Sequence, residues 1–96
     1  MAVYVIAHVC VRDPARFREY QRAAMPTISA AGGRVLAAGR AVKLEGQPMP
    51  NHNVIIEFPT QEMAEAWYSS EGYEAAIPVR RESSADGAIG VVAGLR

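Results

Sequence analysis

The stretch from Asn53 to Ala76, NVIIEFPTQEMAEAWYSSEGYEAA, constrains the fold most, because it holds a strand, a stop and two helix starts in a row. Side chains alternate along a strand, so Val54, Ile56 and Phe58 share one face, and Asn53, Ile55 and Glu57 share the other. The first face is wholly apolar, while the second carries a carboxylate. Pro59 cannot donate to a ladder and Thr60 is a good N-cap. Met63, Ala64, Trp67 and Tyr68 then recur at the spacing of one helix face. Ser69-Ser70 interrupts that helix, and Ser70 caps a second one through Tyr73, Ala76 and Ile77. Pro78 is expected to end or kink it.

Ahead of this stretch, Val3 to Val11 reads as a strand, with Val3, Val5, Ala7, Val9 and Val11 on one face and Tyr4, Ile6, His8 and Cys10 on the other. Asp13-Pro14 supplies an N-cap and a first-turn proline, and Phe17, Tyr20, Ala24 and Ile28 mark a helix to about Ala31, kinked or broken near Pro26. Gly32-Gly33 gives the left-handed stop. A second strand is expected from Arg34 to about Arg40, with Val42 and Leu44 as an extension. On it, Arg34, Leu36, Ala38 and Arg40 share a face. The segment from Glu45 to His52 holds two prolines and a glycine and is a loop, in which His52 is expected to be solvated. After Ile77, Val79 to Ser84 continues as polar helix with Arg80-Arg81 on its exposed side. Asp86-Gly87 signals a turn, and Ile89 to Ala93 is a last strand.

The order is βαββαβ within one domain spanning residues 1–96. Two right-handed crossovers place the first and third strands side by side in the centre, expected parallel, with the fourth and second at the edges. This is an α+β, ferredoxin-like sheet of order 4-1-3-2, antiparallel-mixed, with the helices on one face. Its other face, with Tyr4, Ile6, Cys10, Leu36 and Ile55, is too apolar for water, so a second copy is expected to cover it.

Ten basic residues balance ten acidic ones, which gives no electrostatic reason to bind nucleic acid or an anionic membrane. A lone cysteine, Cys10, fits a reducing cytoplasm. The apolar start lacks a basic leader and a cleavage site, and no run approaches the roughly 20 residues that span a bilayer. The expectation is a soluble, cytoplasmic protein.

Several motifs together resemble one family: Asp13-Pro14, Tyr20, Gly32-Gly33, Leu44-Glu45-Gly46, Glu57-Phe58-Pro59, Ala66-Trp67-Tyr68, and Glu71 to Tyr73. The chain is similar to the family known as domain of unknown function 1330, in the dimeric α/β-barrel superfamily. That resemblance implies a homodimer in which two ferredoxin-like sheets form a barrel. Relatives in the wider superfamily include cofactor-free monooxygenases, lactone isomerases and haem-handling proteins, so the fold does not choose a function. The chain departs from the family pattern at Gln47-Pro48-Met49-Pro50, where an aromatic is expected, and at His8.

Candidate chemistry starts with His8 and Glu57, expected on one sheet face of adjacent strands, where the carboxylate would orient the imidazole for proton transfer. A register shift of two would bring Cys10 opposite Glu57 instead. Arg34 and Arg40 are placed to hold a carboxylate or enolate. Tyr20, Trp67, Tyr68 and Tyr73 line either a ligand cleft or plain core. No spacing for zinc, a phosphate loop, a dinucleotide or a serine hydrolase occurs, so neither metal nor cofactor is expected. Three readings follow. One is a homodimer accommodating a small organic ligand, with an anionic one as an option. The second is a cofactor-free monooxygenase- or isomerase-like enzyme acting on an enolisable or aromatic acid. In the third, the polar groups form an inert network and the dimer serves protein interaction, with Met49 at its surface.

Overall fold

The computed structural model describes residues 1–95. The chain runs β1 (Val3–Val11), α1 (Pro14–Ala30), β2 (Arg34–Gly39), β3 (His52–Phe58), α2 (Gln61–Tyr68), α3 (Glu71–Ser83) and β4 (Ser84–Ala93). The sheet order is β2-β3-β1-β4, which is 4-1-3-2 read from the other edge. All three helices start on side-chain caps: Asp13 accepts from the Arg16 amide, Thr60 from Met63 and Ser70 from Tyr73. Each cap satisfies one of the amides left free by the first helical turn. Gly32, at φ 87°, provides the left-handed stop after α1.

The central strands are antiparallel, not parallel: Val3 faces Phe58, Val5 faces Ile56 and Tyr4 faces Glu57. The crossover through α1 leaves β2 parallel to β1, and the β2–β3 connection then reverses the chain. Consequently β3 runs against β1, and every neighbouring pair in the sheet is antiparallel.

Burial follows the alternation. Val3, Val5, Ile56 and Phe58 lie under the helices with Ala24, Ile28, Ala64, Trp67 and Tyr73. Phe58 is 0% exposed, and a Cβ on Gly33 would sit 2.6 Å from its ring, so only glycine lets the backbone pass there. Neither internal proline breaks its helix: α1 runs through Pro26 and α3 through Pro78. Beside Pro26, the Thr27 hydroxyl bonds back to the Ala24 carbonyl and accepts from Trp67 Nε1 at 3.0 Å, tying α1 to α2.

Two bulges redirect the edge strands. In β2 the register slips between Val35 and Ala37, so Leu36 is the extra residue and Ala38, opposite Val54, returns to the helix side. Arg34 and Ala38 therefore do not share a face. Arg40 lies beyond the strand and is exposed. Neither Val42 nor Leu44 extends β2; they are 87% and 95% exposed in a connection of residues 40–51. In β4 the slip falls between the partners of His8 and Cys10, with Asp86 at φ 53°. Asp86-Gly87 is thus a bulge inside a strand that begins at Ser84, five residues before the expected start.

Candidate functional site

Between α1, α3 and the sheet lies a cavity of about 630 Å³. Its walls are mostly apolar, with Phe17, Ile28, Val35, Val54, Ile56 and Trp67 among them. This size falls in the range usual for small-molecule sites, about 300–1,000 Å³.

Polar groups enter the cavity from the helices. The hydroxyls of Tyr20 on α1 and Tyr73 on α3 lie 2.8 Å apart, and Arg80 Nη1 donates to the Tyr73 oxygen at 2.8 Å. Tyr73 and Arg80 are seven residues apart, two turns of one helix, which stacks them on the same face. Burial, then the neighbouring Tyr73 phenol, pushes the Tyr20 hydroxyl far above its ordinary pKa, so it stays protonated. Burial works against the Arg80 charge, but the Tyr73 and Tyr20 phenols outweigh it and the net direction is up. Rather than forming an exposed pair with Arg81, half-buried Arg80 therefore brings a permanent positive charge to the cavity.

From the sheet side comes His52, expected in a solvated loop. It is instead the first residue of β3, opposite Val9, half-buried and edge-on to Phe17 with ring centroids 5.0 Å apart. Burial lowers its pKa, favouring the neutral imidazole. His8 also borders the cavity, but the alternation of β1 turns its side chain to the opposite sheet face with Tyr4 and Ile6, where its Nδ1 is the one buried side-chain nitrogen or oxygen without a hydrogen-bond partner among the described residues. An orphaned buried group costs about 1–3 kcal/mol.

His8 and Glu57 are not brought together. In the antiparallel register His8 faces Asn53, whereas Glu57 faces Tyr4 four residues away along β1. Glu57 accepts from Tyr4 Oη at 3.3 Å and from Arg34 Nε at 3.0 Å, on the sheet face away from the helices. Cys10 is not opposite Glu57 either, since it pairs with Ala85 of β4. Of the residues expected to contact a ligand, Tyr20, Trp67 and Tyr73 line the cavity, while Arg34 and Arg40 do not. Tyr68 is exposed and packs against the rings of Trp67 and Tyr73.

Among the described residues, no three His, Cys, Asp or Glu side chains are grouped so as to hold a metal ion. No described helix is long and apolar enough to cross a membrane.

The family model described as "Domain of unknown function (DUF1330)" matches residues 2–95. The chain belongs to the DUF1330 family. No curated protein matches it. Among solved structures, a protein of unknown function from Rhodopseudomonas palustris is similar, with a TM-score of 0.84 at 18% identity, covering 99% of this chain and 83% of that one. SnoaB from Streptomyces nogalater, described as a cofactor-independent oxygenase, gives 0.70 at 13% identity, covering 99% and 94%. A dimeric ferredoxin-like protein of unknown function from Thermobifida fusca gives 0.69 at 18% identity, covering 97% and 91%. At these identities the likeness shows the ferredoxin-like fold alone.

The position of His52 in this DUF1330 chain carries a pH dependence with a definite sign. Its folded-state pKa lies below the ordinary value of about 6.5, so as pH falls the unfolded chain takes up the proton first. The stabilisation is therefore complete above about pH 6.5 and is lost as pH falls through the lowered value. Urea midpoints at pH 7.5 and 5.0 are expected to differ more for wild type than for His52→Gln. An equal difference in the two proteins would show that His52 titrates as a solvated side chain.

Proposed function

We propose that this protein is a homodimeric α/β-barrel that binds a small, mainly apolar organic molecule in the cavity between its helices and its sheet. The observation that carries this reading is the cavity itself: close-packed interiors seldom leave such a space, and this one has aromatic walls with a few convergent polar groups. The dimer is supported by the bare sheet face and by the dimeric ferredoxin-like neighbour. A single cysteine fits a reducing compartment such as the cytoplasm.

Catalysis in the same cavity is the second reading, favoured by the neutral His52 beside Phe17 and by the likeness to SnoaB. In it His52 takes a proton from an enolisable or phenolic substrate, and the Tyr73–Arg80 pair stabilises the oxyanion that forms. The His8–Glu57 couple has no part in it, because the register keeps the two apart.

A thermal-shift panel of small phenols, acids, amides and lactones tests the binding reading. A compound at 100 times its dissociation constant adds about 2.7 kcal/mol, a rise in Tm on the order of 10 °C for a chain this short. Val54→Phe puts a ring into the cavity and is expected to abolish the shift. If no compound shifts wild type, or if Val54→Phe leaves every shift intact, the cavity is not the ligand site. Turnover of a hit, followed by oxygen uptake or a change in its absorption spectrum, separates the enzyme from the binding protein.

A further inference from the structure

We infer that the ligand is an organic monoanion with an apolar body, its acidic group bound at Arg80 and its body lying against Ile28, Val35 and Ile56. This deepens the proposed function and rests on the cavity being the ligand site.

The first ground is an uncompensated charge. Arg12, Arg16 and Arg34 each hold a carboxylate in an ion pair, whereas Arg80 has none among the described residues and spends one donor on the Tyr73 hydroxyl. A guanidinium has five donors, and at a half-buried position the rest want an acceptor. A carboxylate is the acceptor whose geometry fits that fork.

The second ground is the sign of the charge around the cavity. Three of its lining residues are of charged type: Arg80, Arg81 and Asp86. Asp86 is 3.6 Å from Arg12, so its charge is partly answered from outside the cavity. Glu82, one residue beyond Arg81 in the sequence, is held by Arg16. His52 is held towards the neutral form, and Tyr20 keeps its proton. The balance is positive, which draws an anion and repels a cation.

The third ground is where these groups sit. Arg80 lies one turn before the junction at which Ser84 pairs with Val11, and Ser84 Oγ bonds to the Arg80 carbonyl at 2.6 Å. His52 pairs with Val9, near the carboxyl end of β1. Arg80 and the His52 imidazole therefore gather at the carboxyl end of β1. Ile56 and Val35, opposite each other near the middle of the sheet, and Ile28 of α1 line the apolar remainder. A charged head at the polar end and a hydrocarbon or aromatic body towards those residues match both halves.

Matched probes test this: 2-naphthoate against 2-naphthamide, and 3-phenylpropanoate against its amide, titrated by calorimetry into wild type, Arg80→Gln and Arg34→Gln. Each pair shares its body and differs in charge. Wild type is expected to bind the acids about 10- to 100-fold more tightly than the amides, as a charge-assisted hydrogen bond replaces a neutral one. Arg80→Gln is expected to bring acid and amide to within a factor of about 3 of each other, and Arg34→Gln to keep the wild-type preference, because Arg34 is paired with Glu57 outside the cavity. Amides that bind wild type as tightly as acids, with both abolished by Val54→Phe, would overturn the anion while leaving the cavity as the ligand site. No binding of either kind would overturn both. The wild-type comparison stands without any variant, and Arg80→Lys, which keeps the charge, replaces Arg80→Gln if the latter does not fold.

Discussion

Phe58→Ala is expected to remove about 3–5 kcal/mol of unfolding free energy, the usual cost of emptying a fully buried phenylalanine site. Phe58 is wholly buried at the end of β3, opposite Val3, and its ring lies 5.6 Å from that of Trp67. Neither neighbour can close the gap easily. Trp67 is held by its indole bond to Thr27, and the Gly33 backbone already runs against the Phe58 ring. The expected loss is a large share of the roughly 5–15 kcal/mol that a domain of this kind has in all. In urea the midpoint should fall while the slope stays put, since the surface exposed on unfolding is little changed. A loss below about 1 kcal/mol would mean that the site collapses around the alanine and that Phe58 is not what joins α2 to the sheet.

The features read correctly from the sequence are those decided within a few residues. Asp13, Thr60 and Ser70 each cap a helix through a side-chain bond three residues ahead, so their neighbours suffice to predict them. The apolar alternation of β1 and β3 is equally local, and it names Val3, Val5, Ile56 and Phe58 as core. Strand direction is different, because it depends on counting reversals along the whole chain. The β2–β3 connection supplies the reversal that makes β1 and β3 antiparallel, and with it the His8–Glu57 pairing disappears.

The candidate site was half legible. Tyr20, Trp67 and Tyr73 announce themselves as aromatics at helical spacing, but whether they fill space or border it depends on how α1 and α3 stand off the sheet. Arg80 left a signal, seven residues after Tyr73 on one helix face, that an exposed-pair reading of Arg80-Arg81 overrides. His52 left one too: it is in step with Val54 and Ile56, so starting β3 one residue earlier puts it on the helix side. The bulge at Leu36 left none, since leucine, alanine and glycine in β2 fit either alternation. That bulge turns the two halves of β2 to different faces and removes any common surface for Arg34 and Arg40.

Ile55→Glu is expected to turn a dimer into a monomer that keeps its fold. The molecule is a slab of 33 × 33 × 16 Å, with the helices on one broad side and bare sheet on the other. Ile6 and Ile55 face each other across the two central strands and are 45% and 39% exposed, with exposed Val92 beside Tyr4 on the neighbouring strand. A stable homodimer buries about 800 Å² from each partner, which a sheet face of this breadth can supply. Two-fold symmetry puts each substitution into the interface twice, so one change introduces two carboxylates. Each would be stripped of water with Glu57 two residues along the same face, and an unpaired buried charge costs several kcal/mol. Together they exceed about 4 kcal/mol, at least a thousandfold in the dissociation constant. Inside the single chain the same side chain is already open to water, so the subunit loses only the strand preference of isoleucine, about 1 kcal/mol or less. Light scattering at tens of micromolar is expected to give twice the 10.4 kDa chain mass for wild type and the single mass for Ile55→Glu, with unchanged circular dichroism. A wild-type monomer would leave this apolar face without its partner and remove the barrel. A dimeric variant would move the interface to another surface, where the exposed Val42 and Leu44 are the next side chains to test.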